Sequence, residues 1–258
     1  MKLTQIRNAT LILEYAGKKF LIDPMLADKE AWPGFPGTAR PHLRNPLVAL
    51  PVAVDTLLNV DAVIVTHTHP DHWDDAAQQL IPDDKLIFTQ HDADATLIRS
   101  QGFTNVRVLT TENSYEGITI IKTGGQHGSD EAYANPEMAA MLGDACGLVF
   151  RHADEKVLYI AGDTIWVKPY EESLQSHRPD VVVLNAGFAQ VDGYGAIIMG
   201  TEDILRTHQM LPEATIVASH LEAVNHCVLT RAEIREFAQQ KGMQQSVCAP
   251  EDGETLVF

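Results

Sequence analysis

The stretch Ala62-Val63-Ile64-Val65-Thr66-His67-Thr68-His69-Pro70-Asp71-His72 decides how this chain is read. Four apolar, mostly β-branched residues bounded by polar ones read as a buried strand. That strand delivers three imidazoles and a carboxylate to the edge of a sheet. Neutral imidazole is a common metal ligand and carboxylate oxygen suits the same first-row ions, so a His/Asp cluster without thiolate points to a catalytic metal rather than a structural Cys site. His67 and His69, two apart in extended backbone, can face one side and share an ion. Asp71 and His72 fall at the following turn, where Pro70 suits a first helical position, and can face a second ion.

Working outward, strands are expected at Leu3–Ile6, Thr10–Tyr15 and Lys19–Asp23, a β-meander before the cluster. Met25 to Asp61 breaks the pattern with interleaved Pro and Gly and reads as a long loop, a lid or binding wall. After the cluster come a short helix over Asp74–Leu80, a strand at Lys85–Phe88 and a helix over Asp92–Gln101. Strands at Val106–Leu109 and Ile118–Ile121 follow, and Glu131 to Asp144 reads as a second irregular insert. Further strands are expected at Gly147–Arg151, Val157–Ala161, Val181–Leu184 and Thr215–Ala218, with helices near Tyr170–Ser176 and Glu202–Leu211. Thr230 and Glu233 form a capping box for a last helix ended by Gly242, and two closing strands lie at Ser246–Cys248 and Thr255–Phe258. Strand-rich blocks that each end in helices predict an α+β fold, a four-layer αββα sandwich, as one domain over residues 1–258.

Composition limits the partners. With 45% hydrophobic residues the chain can bury a full core, and its longest apolar runs are too short to span a bilayer. Met1-Lys2-Leu3-Thr4 leads into strand-like sequence rather than a signal peptide, so a cytoplasmic location without membrane association is expected. A formal net charge of −16, with no Lys/Arg run to offset it, argues against nucleic acid and for a small-molecule substrate. Homo-oligomerisation is compatible with this class. Cys146, Cys227 and Cys248 are odd in number and widely spaced, so no disulfide framework is indicated.

A dinuclear site needs more donors, again at strand ends. His127 follows Ile120-Ile121-Lys122-Thr123 through Gly124-Gly125, which permits close backbone approach; Asp163 follows Leu158-Tyr159-Ile160-Ala161-Gly162; His220 follows Ile216-Val217-Ala218-Ser219. His226 competes with His220 for the last position. His220 is favoured because it sits at the strand end, leaving His226 to contact substrate or orient a ligand. Asn185 is a weaker candidate, and Trp32, Phe35, Tyr133 and Trp166 are candidates for an apolar wall. His42, His91, His152, His177 and His208 lie outside the pattern.

His-x-His-x-Asp-His after a hydrophobic strand resembles the signature of the metallo-β-lactamase-fold hydrolases. The later His127, Gly162-Asp163-Thr164 and His220 match the rest of that pattern, from Asp23 to about His226. The resemblance implies His67, His69 and His127 on one metal, Asp71, His72 and His220 on the other, and Asp163 between them. It makes Asp23 a brace for the ligand loop. It implies two divalent ions, zinc first, with manganese or iron as alternatives, and a metal-bridged hydroxide as nucleophile; Asp71 and His226 are the candidate catalytic residues. Bound cations lower the pKa of water from about 15.7 toward roughly 7. Oxygen-reducing relatives carry carboxylate where this chain keeps His69 and His72, so hydrolysis is expected. The opening meander, the Pro-rich insert and Gly-Asp-Thr resemble the branch that includes ascorbate-phosphate lactonase, which suggests a small ester or lactone. A small cyclic phosphodiester, or a non-catalytic metal-binding scaffold, is the alternative.

Overall fold

The computed structural model describes residues 1–258. In chain order the first half forms strands β1 (Lys2–Arg7), β2 (Thr10–Tyr15) and β3 (Lys18–Ile22), helix α1 (Val54–Leu58), β4 (Ala62–Val65), α2 (Asp75–Leu80), β5 (Ile87–Thr89), α3 (Asp92–Ser100) and β6 (Val106–Val108). The second half begins with β7 (Glu112–Tyr115), β8 (Ile118–Thr123), α4 (Asp130–Ala134), α5 (Pro136–Leu142), β9 (Gly147–Arg151) and β10 (Leu158–Ile160). It continues through α6 (Lys168–His177), β11 (Val181–Asn185), the hairpin β12 (Gln190–Val191) and β13 (Gly195–Ala196), α7 (Thr201–Met210), β14 (Thr215–Ser219), α8 (Arg231–Gln240), β15 (Val247–Cys248) and β16 (Thr255–Val257).

Two seven-stranded sheets result, ordered β16-β1-β2-β3-β4-β5-β6 and β15-β14-β11-β10-β9-β8-β7. Side-chain alternation fixes how they stack. Ala62 and Ile64 of β4 join Val181 and Val183 of β11 in one core between the sheets, with Phe20, Leu148 and Phe150. Val63 and Val65 point the other way and pack with Ala77 and Ile98 of α2 and α3. Val182 and Leu184 do the same on the opposite side against Leu174, Ile204 and Ile234 of α6 to α8. The layers are therefore helix, sheet, sheet, helix, as the sequence predicts. The two closing strands part company: β15 finishes the second sheet, and β16 crosses back to pair with β1.

The inserts differ from expectation. The segment read as an irregular stretch over Glu131–Asp144 is two short helices. Ser129 Oγ accepts from Ala132 N at the start of α4, and Asn135 Oδ1 accepts from the amides of Glu137 and Met138 at the start of α5, with Pro136 at the first turn. Both caps stand in the sequence, but neither helix is long enough to show an apolar stripe. The loop over Met25–Asp61 contains α1, and the rest is held by buried polar groups. Fully buried Arg7 donates to the carbonyls of Met25, Ala27 and Val48. Fully buried Asn225 bonds Phe35 N, Thr38 Oγ1, Ala39 O and the side chain of Asn45. Strand β7 and the β12–β13 hairpin were not anticipated; both are short, and β7 has no buried residue.

Candidate metal centre

The loop after β4 leaves the sheet through a carboxylate brace. Asp23, at the end of β3, accepts from Thr66 N and Thr66 Oγ1, each at 2.7 Å, and from His72 Nδ1 at 2.8 Å. Its own backbone is left-handed, at φ 47°. Such a conformation is costly for a residue with a side chain and persists where surrounding bonds hold it. The other donors come from the second sheet. Gly162, at φ 69°, turns the chain after β10 so close to Cys146 that an added Cβ would lie 2.3 Å from the Cys146 carbonyl oxygen. That turn aims Asp163 inward. His127 follows β8 and His220 follows β14.

The donors from both sheets meet. His67 Nε2 lies 3.0 Å from His69 Nδ1, and His72 Nε2 lies 3.2 Å from His220 Nε2. Asp163 Oδ2 sits among them, 3.1 Å from His72 Nε2, 3.5 Å from His127 Nε2, 3.7 Å from His220 Nε2 and 3.8 Å from His67 Nε2. Asp71 Oδ2 is 3.2 Å from His220 Nε2. Three overlapping groups, His67/His69/His127, His67/His72/Asp163 and Asp71/His72/His220, each bring their donor atoms within 4.8 Å of one another. His226 belongs to none of these groups, and its ring centre is 6.3 Å from that of His220.

Each imidazole of the cluster is anchored through its other nitrogen. His67 Nδ1 meets Thr66 Oγ1 at 3.2 Å, His69 Nε2 donates to Met141 O at 2.9 Å, and His127 Nδ1 donates to Ile197 O at 2.8 Å. His72 uses Asp23, and His220 Nδ1 meets Cys227 Sγ at 3.2 Å. Asp163 Oδ1 accepts from Asn185 Nδ2 at 2.6 Å, and Asn8 Nδ2 donates to Asp71 O at 3.1 Å. Outer bonds of this kind fix ring orientation and leave the inward lone pair for a metal. Sequence reasoning missed Asn8, because its contacts with Asp71 and His220 cross the fold.

Electrostatics matches the donor chemistry. Burial disfavours ionised Asp163, yet the charges of His72, His220 and His127 outweigh it and hold the carboxyl well below its usual range. Burial likewise opposes ionised Asp71, and His72 and His220 overcome it. Burial, aided by His72 and His69, pushes His67 well below the usual imidazole value, and burial lowers His127 to about 4. Burial also opposes the charge on His72, but Asp163, Asp23 and Asp71 raise it to about 10. Facing imidazole lone pairs with buried carboxylates between them are a donor set for cations, and these residues fit divalent metal.

A cavity of about 200 Å³ opens beside this cluster. His69, Asp71, His127 and His226 are among its lining residues, which include no Lys or Arg. Phe35 from the Pro-rich loop, Leu142 from α5, and Val191 and Ile197 beside the hairpin supply the apolar walls. Of the four aromatic candidates only Phe35 lines this cavity. Trp32 packs edge-on behind Phe35 and lines an adjoining groove of about 690 Å³. Tyr133 lies behind the centre, donating to Gly143 O and accepting from His127 N. Trp166 packs with the α6 to α8 side of the fold under Arg206. His91, outside the pattern, caps α3.

Two facing sheets with a His/Asp centre at one rim define a metallohydrolase of the β-lactamase superfamily. Residues 18–221 match the family model described as the Beta-lactamase superfamily domain, and the chain belongs to that family. It is similar to UPF0173 protein YddR of Bacillus subtilis, 48% identical over 259 residues and covering all of both chains. It also resembles the crystal structure of an isothiocyanate hydrolase from Delia radicum gut bacteria, at 67% identity and a TM-score of 0.99, covering 100% of this chain and 99% of that one. A possible metal-dependent hydrolase from Veillonella parvula matches at 47% identity and a TM-score of 0.98, with the same coverage. The chain is a metal-dependent hydrolase. No helix is long and apolar enough to cross a membrane.

Proposed function

We propose that this hydrolase carries two divalent ions, zinc first, and cleaves small uncharged electrophiles, with isothiocyanates, R–N=C=S, as the leading class. The observation that carries the reading is the cavity of about 200 Å³, apolar in its walls and without a cationic side chain, which opens onto His69, Asp71 and His127. The likeness to an isothiocyanate hydrolase at 67% identity supports the same class. Such molecules have no charge for a Lys or Arg to hold, and an electrophilic carbon two bonds from the substituent.

Bound metal supplies Lewis acidity, which makes hydroxide available near neutral pH and polarises the atom under attack. The protein does the rest. Asp71, whose side chain both joins the donor cluster and lines the cavity, keeps an ionised oxygen where the attacking water is oriented. Phe35, Leu142, Val191 and Ile197 exclude bulk water and hold the substituent. A small neutral ester or lactone is the second reading, because its carbonyl carbon needs the same nucleophile and suits the same walls. The absence of a lining cation counts against a cyclic phosphodiester.

The test is amine release from small isothiocyanates, run beside a lactone and a phosphodiester reporter. Turnover of isothiocyanate is expected, lost on chelation and restored by zinc. Lactone turnover with no amine release from any isothiocyanate would replace the first reading by the second.

A further inference from the structure

His226 differs from every imidazole of the donor cluster. Each of those holds its outer nitrogen in a bond to a carbonyl, carboxylate, hydroxyl or thiol. His226 is only 6% exposed, lines the cavity, and its Nδ1 is buried with no hydrogen-bond partner. Nδ1 is shut away by packing, and Nε2, which bonds to nothing in the protein, is the nitrogen left to meet a substrate in the cavity. The position of the ring is set with care: it stands edge-on to Phe35, with centres 4.6 Å apart at 79°. The preceding residue, Asn225, is locked to the Pro-rich loop through Phe35, Thr38, Ala39 and Asn45.

We propose that His226 is a catalytic residue that carries a proton from the attacking oxygen to the departing nitrogen of the substrate. The proposal rests on the isothiocyanate reading above. Hydroxide oxygen bonds to the central carbon, and the C=N pair moves onto nitrogen. The remaining O–H proton passes to His226, and from His226 to that nitrogen, giving the thiocarbamate R–NH–C(=O)–S⁻. The proton released when water became hydroxide is the second to reach nitrogen. The C–N bond then breaks, its electron pair leaves with the amine, and carbonyl sulfide departs. Oxygen of water ends in carbonyl sulfide, both its protons end on the amine, and nothing is oxidised or reduced. A neutral imidazole suits this relay because its open Nε2 accepts the proton and, once protonated, donates it.

His226→Phe keeps the aromatic contact with Phe35 and removes both nitrogens. His226→Gln keeps a polar group without a relay. With the zinc-loaded full chain and aryl isothiocyanates whose amines span a range of basicity, both variants should retain bound zinc and melting temperature. Both should lose about 100-fold or more in kcat. The unmutated protein should show a shallow dependence of kcat on amine basicity, and the variants a steep one, with the most basic leaving amines suffering most. An unchanged kcat and slope in His226→Phe, or loss of zinc from it, would overturn the relay while the substrate reading stands. Absence of isothiocyanate turnover in the unmutated protein would overturn both.

Discussion

The two sheets supply the centre in different ways. The first gives His67, His69, Asp71 and His72 from a single loop after β4, braced by one carboxylate, Asp23. The second gives His127, Asp163 and His220 from the ends of three separate strands, each with its own anchor in Ile197 O, Asn185 or Cys227. The first half of the centre is local chemistry with Asp23 as its shared brace, beside the separate bonds of His69 to Met141 O and of Asn8 Nδ2 to Asp71 O. The second is assembled by topology, and its donors can be disturbed one at a time.

Removing a second-sheet donor should have the largest effect. Asp163→Ala takes away the oxygen that lies within 4 Å of His67, His72, His127 and His220. Metal analysis and steady-state kinetics should show bound metal and turnover falling more than about 100-fold, beyond the roughly 10- to 100-fold expected for an orienting partner. A variant that keeps full metal and activity would show that the two sheets do not share one centre.

An intermediate effect separates the two bracing styles. Asp23→Asn weakens the support for Thr66 and His72 together, whereas Asn185→Ala removes only the 2.6 Å bond to Asp163 Oδ1. Metal titration should place both within about 10- to 100-fold of the unmutated affinity, with Asp23→Asn the weaker binder. Equal losses would remove the distinction between a shared brace and separate anchors.

The smallest effect is on the metal-free protein and has two arms. Burial holds His127 and His226 at about 4, below the ordinary 6.5, so the unfolded chain binds protons first as pH falls. Melting temperature should therefore drop between about pH 6.5 and 4. His72 runs the opposite way. Its pKa is raised to about 10, so its stabilisation is complete below 6.5 and is lost as pH rises through about 10. Zinc loading should flatten the alkaline arm, since metal then occupies the place of that proton. Thermal melts across pH, with and without zinc, check both arms.

How much of this could be read beforehand follows from range. The β4 run and its His/Asp cluster are contiguous, so the strand and its donors were legible directly. The continuous apolar run over Ala62–Val65 marked a buried strand, and the structure then set Ala62 and Ile64 toward the other sheet and Val63 and Val65 toward the helices. His127, Asp163 and His220 could be nominated because each follows an apolar strand. The α4 and α5 helices were hidden by their length, and the β12–β13 hairpin by strands of two residues.

The sequence by itself determined the chemistry of the donors, the strand runs that build two sheets, and the capping box of α8, because each depends on neighbours within a few residues. Only the tertiary structure decided that Asp163 lies between the two groups of imidazoles, that Asn8 and Cys227 serve the centre, and that Phe35 rather than Tyr133 or Trp166 faces the cavity. Those relations join residues from seven to more than two hundred positions apart, across turns and strands where no local pattern specifies distance. Packing across the two sheets sets them, and with them the shape that a substrate meets.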